Sequence, residues 1–126
     1  MKHFTYKSLS ALQQGVSELG LKHIRFESDI ARVQAALSRR VETGGFSTGN
    51  SMCIHPMEGC DGDLDGTPGE LTWRRYERFG RGGAKLIWFE ATAVCAEGRA
   101  NTRQLWINDK SAGEYARLLE MIRREH

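Results

Sequence analysis

The sequence lacks the features that mark a membrane span, a polyanion binder or a disulfide scaffold. Its longest apolar stretch, Leu86 to Ala96, is broken by Glu90 and is too short to cross a bilayer. Its 18 Lys and Arg nearly balance its 16 Asp and Glu, so the net charge of +2 gives no reason to expect nucleic acid. Its three cysteines form an odd set without a C-x-x-C pair, which favours a reducing compartment.

The overall composition is that of one ordinary soluble globular unit. The 126 residues are 40% hydrophobic and 27% charged, which argues against disorder. The first ten residues, MKHFTYKSLS, contain no apolar core of the kind a signal peptide needs. We therefore expect a cytoplasmic protein without a membrane anchor.

The first 39 residues carry two helical patterns. Leu12, Val16 and Leu19 recur at helical spacing, Ser10 with Gln13 resembles a capping box, and Gly20 follows as a stop signal. A second, more polar pattern runs from Ser28 to Leu37. We predict a helical extension over residues 1–39, followed by a larger unit over residues 40–126.

The larger unit begins with a hairpin signal and a strand signal. Short β-prone pieces flank Gly44-Gly45 within residues 41–48, which is typical of a tight antiparallel turn. Ser51 to His55 is a compact, largely apolar run ended by Pro56. Because proline cannot donate to a central ladder, we predict a buried strand that stops there.

A helix is predicted after the acidic stretch CDGDLDG. Thr67 suits the N-cap, Pro68 suits the first helical position, and Glu70 completes a capping box. The helix ends at Gly82-Gly83. Its side chains divide by periodicity into a core face, Thr72, Trp73, Tyr76 and Phe79, and a solvent face, Arg74, Arg78 and Arg81.

A second strand and a second helix complete the pattern. Residues 85–90 form a nearly continuous apolar run typical of a strand buried on both faces. Ser111 and Glu114 then resemble a capping box, and a core stripe follows at Tyr115, Leu118, Leu119 and Ile122. The order strand, helix, strand, helix predicts an α/β fold with a right-handed parallel βαβ unit.

Four motifs in one order carry a family resemblance. They read NSMCIHPM, GTPGELTWRRY, GGAKLIWFEATAV and EGRAN, and together they resemble the N-terminal portion of the old yellow enzyme family of FMN-dependent NADH:flavin oxidoreductases and ene-reductases. The resemblance implies the N-terminal part of a TIM (β/α)8 barrel, with a β-hairpin and about two βα units in residues 40–126. A complete barrel of this kind needs roughly 250 residues.

The resemblance also implies a cofactor and its contacts. It assigns Pro56, Met57, Glu58 and Ala91 as residues that line FMN, with NAD(P)H as reductant and an activated alkene or related small molecule as acceptor. Glu58 departs from the family, in which many members carry threonine or cysteine at that position. No catalytic residue carries over, because the family's proton donor, substrate-binding histidines and phosphate loop fall beyond residue 126. We therefore expect the isolated chain to be inactive.

The main alternative is a non-catalytic stand-alone remnant or structural module that self-associates. An open two-stranded edge would be a template for aggregation unless a second copy or the remainder of a barrel covers it. We therefore expect either a homo-oligomer or that remainder as partner.

Metal and nucleic-acid sites are weaker alternatives. The stretch from Asp61 resembles a calcium loop, but the twelfth position, which needs a bidentate glutamate, is Thr72. Cys53, His55 and Cys60 have no second ligand pair at metal-site spacing, so no metal is expected. In WRRYERFGRGG the interleaved aromatics belong to the core face, which argues against a stacking platform for nucleic acid.

Overall fold

The computed structural model describes residues 5–126. These residues divide into two compact units, one ending at Ala35 and one comprising Ala36–His126. Helix α1 spans Leu9–Glu18 and helix α2 spans Ile30–Ser38. Within residues 5–126, no helix is long and apolar enough to cross a membrane.

The N-cap of helix α1 differs from the sequence prediction. The N-cap of α1 is Ser8, whose side chain accepts a hydrogen bond from Ala11 N at 3.1 Å, so the prediction of Ser10 as the cap was wrong. Ser8 has the extended backbone that a cap requires, whereas Ser10 already lies in the first helical turn. Asp29 has the same role for α2, because its Oδ1 accepts from Ala31 N at 2.9 Å.

A hairpin opens the strand-bearing part of the second unit. Strands β1 (Glu42–Thr43) and β2 (Phe46–Ser47) pair antiparallel. The turn between them consists of Gly44 at φ 53° and Gly45 at φ 83°. Both angles lie in the left-handed region that a two-residue hairpin turn demands and that glycine adopts without strain. The predicted hairpin is therefore present.

A parallel βαβ unit follows, as the sequence predicts. Strands β3 (Cys53–Ile54) and β4 (Leu86–Ile87) pair in parallel, with Cys53 opposite Leu86 and Ile54 opposite Ile87. Helix α3 (Glu70–Arg81) lies between them in sequence. Beyond β4, Ala93 and Trp106 form an isolated parallel bridge, and a short 3-10 helix (Ala96–Gly98) lies between these two residues in sequence. The strands described in residues 5–126 form no closed barrel.

The strands are shorter and less buried than predicted. Cys53 is exposed, Leu86 and Ile87 are half-buried, and Trp88 is 64% exposed. The expectation of burial on both faces was wrong because, in the part of the chain that the structure describes, helices pack on only one face of the pair. The opposite face carries Cys53 and Trp88, which are exposed, and Leu86, which is half-buried.

The core lies between that pair and helices α3 and α4 (Ala112–Glu125). Tyr76 and Leu118 are 1% exposed, and Tyr76 stacks on Phe89 with ring centroids 4.5 Å apart. The full apolar cluster comprises Tyr76, Leu118 and Ile122, with Trp73, Phe79, Ile87, Phe89 and Met121 packed against it. Leu119, predicted to face the core, is 46% exposed because it lies about 100° around the helix from Leu118.

Leu118→Ala tests this core, with Leu119→Ala as the matched control one residue away. Removing the buried side chain is expected to lower the free energy of unfolding by about 3 kcal/mol, within the usual range for a buried leucine. The exposed control is expected to lower it by less than about 1 kcal/mol. Urea unfolding followed by tryptophan fluorescence measures both, and equal losses would contradict the assignment of the core face.

Candidate functional site

A buried ion network lies at the C-terminal ends of β3 and β4. Arg75, on α3, donates from Nη2 to Asp61 Oδ1 at 2.8 Å and from Nε to Asp61 Oδ2 at 3.2 Å. The same Nη2 donates to Glu90 Oε1 at 2.6 Å. The side chains of Asp61 and Glu90 are only 13% and 1% exposed. The guanidinium of Arg75 therefore joins the loop after β3 to Glu90 in the segment after β4.

Neighbouring groups complete the coordination of both carboxylates. Thr72 Oγ1 donates to Asp61 Oδ1 at 2.7 Å. Gly59 N donates to Glu90 Oε2 at 2.8 Å, and the backbone N of Glu90 donates to the hydroxyl of Tyr76 at 2.9 Å. Charged groups are stable in such surroundings only when paired and hydrogen-bonded, and each carboxylate here has two partners.

The protonation states follow from these contacts. Burial opposes the charge of Arg75, but its hydrogen bonds to Asp61 and Glu90 outweigh burial and raise its pKa. Burial likewise acts to raise the pKa of Asp61, yet the hydrogen bonds from Arg75 and Thr72 lower it overall. Burial raises the pKa of Tyr76 to about 12. At neutral pH the network therefore holds an ionised Asp61–Arg75 pair and a neutral Tyr76.

The residues that the resemblance assigns to flavin lie at the same edge. Pro56 and Met57 follow β3, and Ala91 follows Glu90; all three are exposed, with Met57 77% accessible. Gln104, which is buried, donates from Nε2 to the carbonyl of Ala91 at 3.4 Å. The structure thus brings the two segments to one end of the parallel pair, with apolar groups facing outward.

Glu58 differs from its neighbours because its carboxylate is engaged by the loop after β4. Asn101 Nδ2 donates to Glu58 Oε1 at 2.6 Å, and Cys60 Sγ lies 3.4 Å from the same oxygen. The hydrogen bond between the Cys60 thiol and Glu58 is the main reason that the pKa of this thiol is raised. Cys60 has φ 50°, a left-handed conformation that is uncommon for a residue other than glycine.

The acidic stretch CDGDLDG is not a simple solvated turn. Asp61 is committed to Arg75, while Asp65 Oδ1 accepts from Thr67 Oγ1 at 2.7 Å and from Thr67 N at 3.0 Å. These bonds lower the pKa of Asp65. They also explain why Thr67 is not the N-cap of α3: the cap is Gly69, and the helix begins at Glu70. Across residues 5–126, no group of His, Cys, Asp and Glu is arranged to hold a metal ion.

Sequence reasoning did not identify the ion network. Periodicity assigned Arg74, Arg78 and Arg81 to solvent and left Arg75 unassigned. Two signals were available in the sequence. Glu90 is a charged residue inside an apolar run, and Arg75, three residues after Thr72, lies near the core face of α3. A buried charge in a strand needs a partner, and the adjacent helix is where that partner lies.

Several solved structures resemble the fold of this chain. Morphinone reductase matches with a TM-score of 0.61 and 23% identity over 71% of this chain and 24% of that chain. The old yellow enzyme from Pichia sp. AKU4542 matches with a TM-score of 0.61 and 14% identity over the same shares. The chain resembles a fragment of the old yellow enzyme family. The old yellow enzyme from Trypanosoma cruzi matches similarly, with a TM-score of 0.59 and 22% identity.

These matches bear on fold. No family model matches the sequence, and neither does any curated protein sequence. The chain spans about a quarter of the length of the old yellow enzymes it matches, 24% of morphinone reductase for example. The matched proteins are TIM barrels, whereas residues 5–126 of this chain form a small mixed helix and sheet structure without a closed barrel.

The depressed pKa of Asp61 predicts a specific acid sensitivity. Its ionised form stabilises the fold fully above the unfolded aspartate pKa of about 4, and this stabilisation is lost as the pH falls through the lower folded value. Asp61→Asn is expected to lower the free energy of unfolding at pH 7 by about 3 kcal/mol, because Arg75 loses a buried partner. The stability of the variant should then fall less steeply between about pH 4 and pH 2 than that of the parent.

Urea unfolding at a series of pH values measures this difference, and Asp109→Asn, at an exposed position, is the matched control. The control should follow the parent at every pH. An Asp61→Asn curve parallel to that of the parent below about pH 4 would contradict the assigned pKa direction.

Proposed function

We propose that this chain forms the first part of the flavin site of an FMN-dependent oxidoreductase of old yellow enzyme type. Pro56, Met57, Glu58 and Ala91 would line FMN, and the chemistry that FMN would supply is hydride transfer from NAD(P)H to an activated alkene or a related small-molecule acceptor. In this proposal the chain contributes one wall of the cofactor site, and the groups that the resemblance assigns to substrate binding and protonation lie in parts of the family beyond the matched region.

The observation that carries the proposal is the exposure of Pro56, Met57 and Ala91 at the C-terminal ends of two parallel strands. In TIM barrels this end of the strands bears the functional groups. The chemistry of these side chains fits a flavin ring, which is flat and has apolar faces. A proline and a methyl group allow close approach, and an exposed thioether supplies polarisable contact.

Glu58 would give this wall a negative charge. A carboxylate beside a reduced, anionic flavin ring disfavours that state electrostatically. The hydrogen bond from Asn101 at 2.6 Å holds the Glu58 carboxylate toward the loop after β4. Asn101 would therefore govern how strongly this charge acts on the cofactor.

FMN titration of the 126-residue chain tests the proposal, with quenching of flavin fluorescence as the signal. Ala91→Trp is expected to weaken FMN binding at least about ten-fold, because an indole would occupy the space that the ring needs. Ala116→Trp is the matched control, since Ala116 is also exposed but lies on α4, and it should bind like the parent.

Absence of saturable FMN binding, or equal effects of the two variants, would overturn the assignment of this edge. A second readout concerns turnover. Oxidation of NADH by the chain with stoichiometric FMN is expected to be no faster than with free FMN, because one wall of a site does not orient both reactants.

A second candidate function, a self-associating module without catalysis, is favoured by the uncovered face of the parallel pair. Trp88 is 64% exposed and Val94 is 82% exposed, and a paired copy could cover them. Native mass measured over a hundred-fold range of concentration distinguishes the two readings. Stable dimers or larger oligomers that do not bind FMN would support the module, and an FMN-binding monomer would exclude it.

A further inference from the structure

The strand ladder ends before it reaches the residues that would contact flavin. The backbone hydrogen bond nearest the edge runs from Trp88 N to Ile54 O at 3.0 Å. Beyond it, Pro56, Met57 and Glu58 continue from one strand and Ala91 follows the other. Among the described residues, the distance between these two segments is therefore set by side-chain contacts and not by the hydrogen bonds of the ladder.

One carboxylate bridges that gap. Glu90 directly precedes Ala91, and its Oε2 accepts from the amide of Gly59, which directly follows Glu58, at 2.8 Å. Its other oxygen is fixed by Arg75 at 2.6 Å, and its own backbone N is fixed by the hydroxyl of Tyr76 at 2.9 Å. With a side chain that is 1% exposed, Glu90 has no freedom to turn toward solvent.

The glycine at position 59 is needed for the same set of contacts. A Cβ built on Gly59 would strike the guanidinium of Arg75 and approach Asp61 Oδ1 to 2.8 Å. Any side chain there would displace Arg75 from between its two carboxylates. The absence of a side chain thus allows the amide of Gly59 to reach Glu90 while Arg75 remains in place.

We propose that Glu90 is a positioning residue of the flavin site: its carboxylate binds the Gly59 amide and so sets the distance between the Pro56–Glu58 segment and Ala91. This inference rests on the proposed function. Glu90 itself is buried and does not touch the cofactor; it acts through the two segments that it joins. Sites of this kind depend on such supporting contacts, because small displacements of contact residues weaken binding.

Two variants break the bridge in different ways. Glu90→Gln places an NH2 group against one of two donors, Gly59 N and Arg75 Nη2, so one contact is lost. Glu90→Asp retains the charge that balances Arg75 but is one methylene too short to hold both partners. Asp61→Asn is the matched control, because it weakens the same network but leaves the bond between Glu90 and Gly59 in place.

Amide hydrogen exchange measured by NMR on the full chain, without flavin, gives the first readout. In both Glu90 variants the Gly59 amide is expected to exchange at least about ten-fold faster relative to the Trp88 amide of the ladder. In Asp61→Asn the two amides should accelerate together, since only overall stability changes. Equal acceleration of both amides in Glu90→Asp would overturn the inference, even if Glu90→Gln fails to fold.

FMN provides the second readout. The Glu90 variants are expected to bind FMN about ten-fold more weakly than Asp61→Asn and to change the visible circular dichroism of the bound flavin. Selective loss of Gly59 protection without a change in FMN affinity or dichroism would overturn the positioning role and leave the proposed function standing. A parent chain that binds no FMN would refute the proposed function and this inference together.

Discussion

The contact of Arg75 with Asp61 and Glu90 places a full positive charge against the packed side of a βα unit. A buried charge that loses its partner destabilises a protein by several kcal/mol. Helix α3 can therefore pack on the strands only when the loop after β3 and the segment after β4 present their carboxylates at the right positions. The interaction couples the register of one helix to the paths of two loops, which apolar packing alone would leave less defined.

Polar and apolar groups have separate tasks at the C-terminal edge. The carboxylates, the guanidinium and the hydroxyls of Thr72 and Tyr76 lie inward, where they bond to each other and to backbone. Pro56, Met57 and Ala91 lie outward. Under the proposed function, the inward network would set the geometry of the outward groups and so give the flavin a defined surface to bind.

The order of elements could be predicted from the sequence, whereas the network could not. Periodicity identified α3 and α4, and Gly44-Gly45 identified the hairpin, because these signals are local. Helix starts were less predictable: Thr67 has the chemistry of an N-cap, but Asp65 binds its hydroxyl and amide. The partners Asp61, Arg75 and Glu90 are far apart in sequence and meet only through the crossover, so no local pattern records their pairing.

The prediction that the strands are buried on both faces failed in an informative way. Burial of the strands on both faces was inferred from an apolar run that includes Trp88. The run is apolar because of both of its faces, but in the described residues helices cover only one of them. The apolar content of the run therefore indicated that both faces of the strand favour burial. It gave no information on which part of the molecule covers each face.

The parallel pairing of β3 with β4 has a kinetic consequence. Each strand contributes two paired residues, yet the pair encloses the acidic loop and all of α3. Closing such a long loop for so few ladder bonds is entropically unfavourable while the intervening chain is unstructured. We therefore expect α3 to form before the strands pair, and to dock as they pair, so that the sheet, usually regarded as the scaffold of a βα unit, is here among the last parts to assemble.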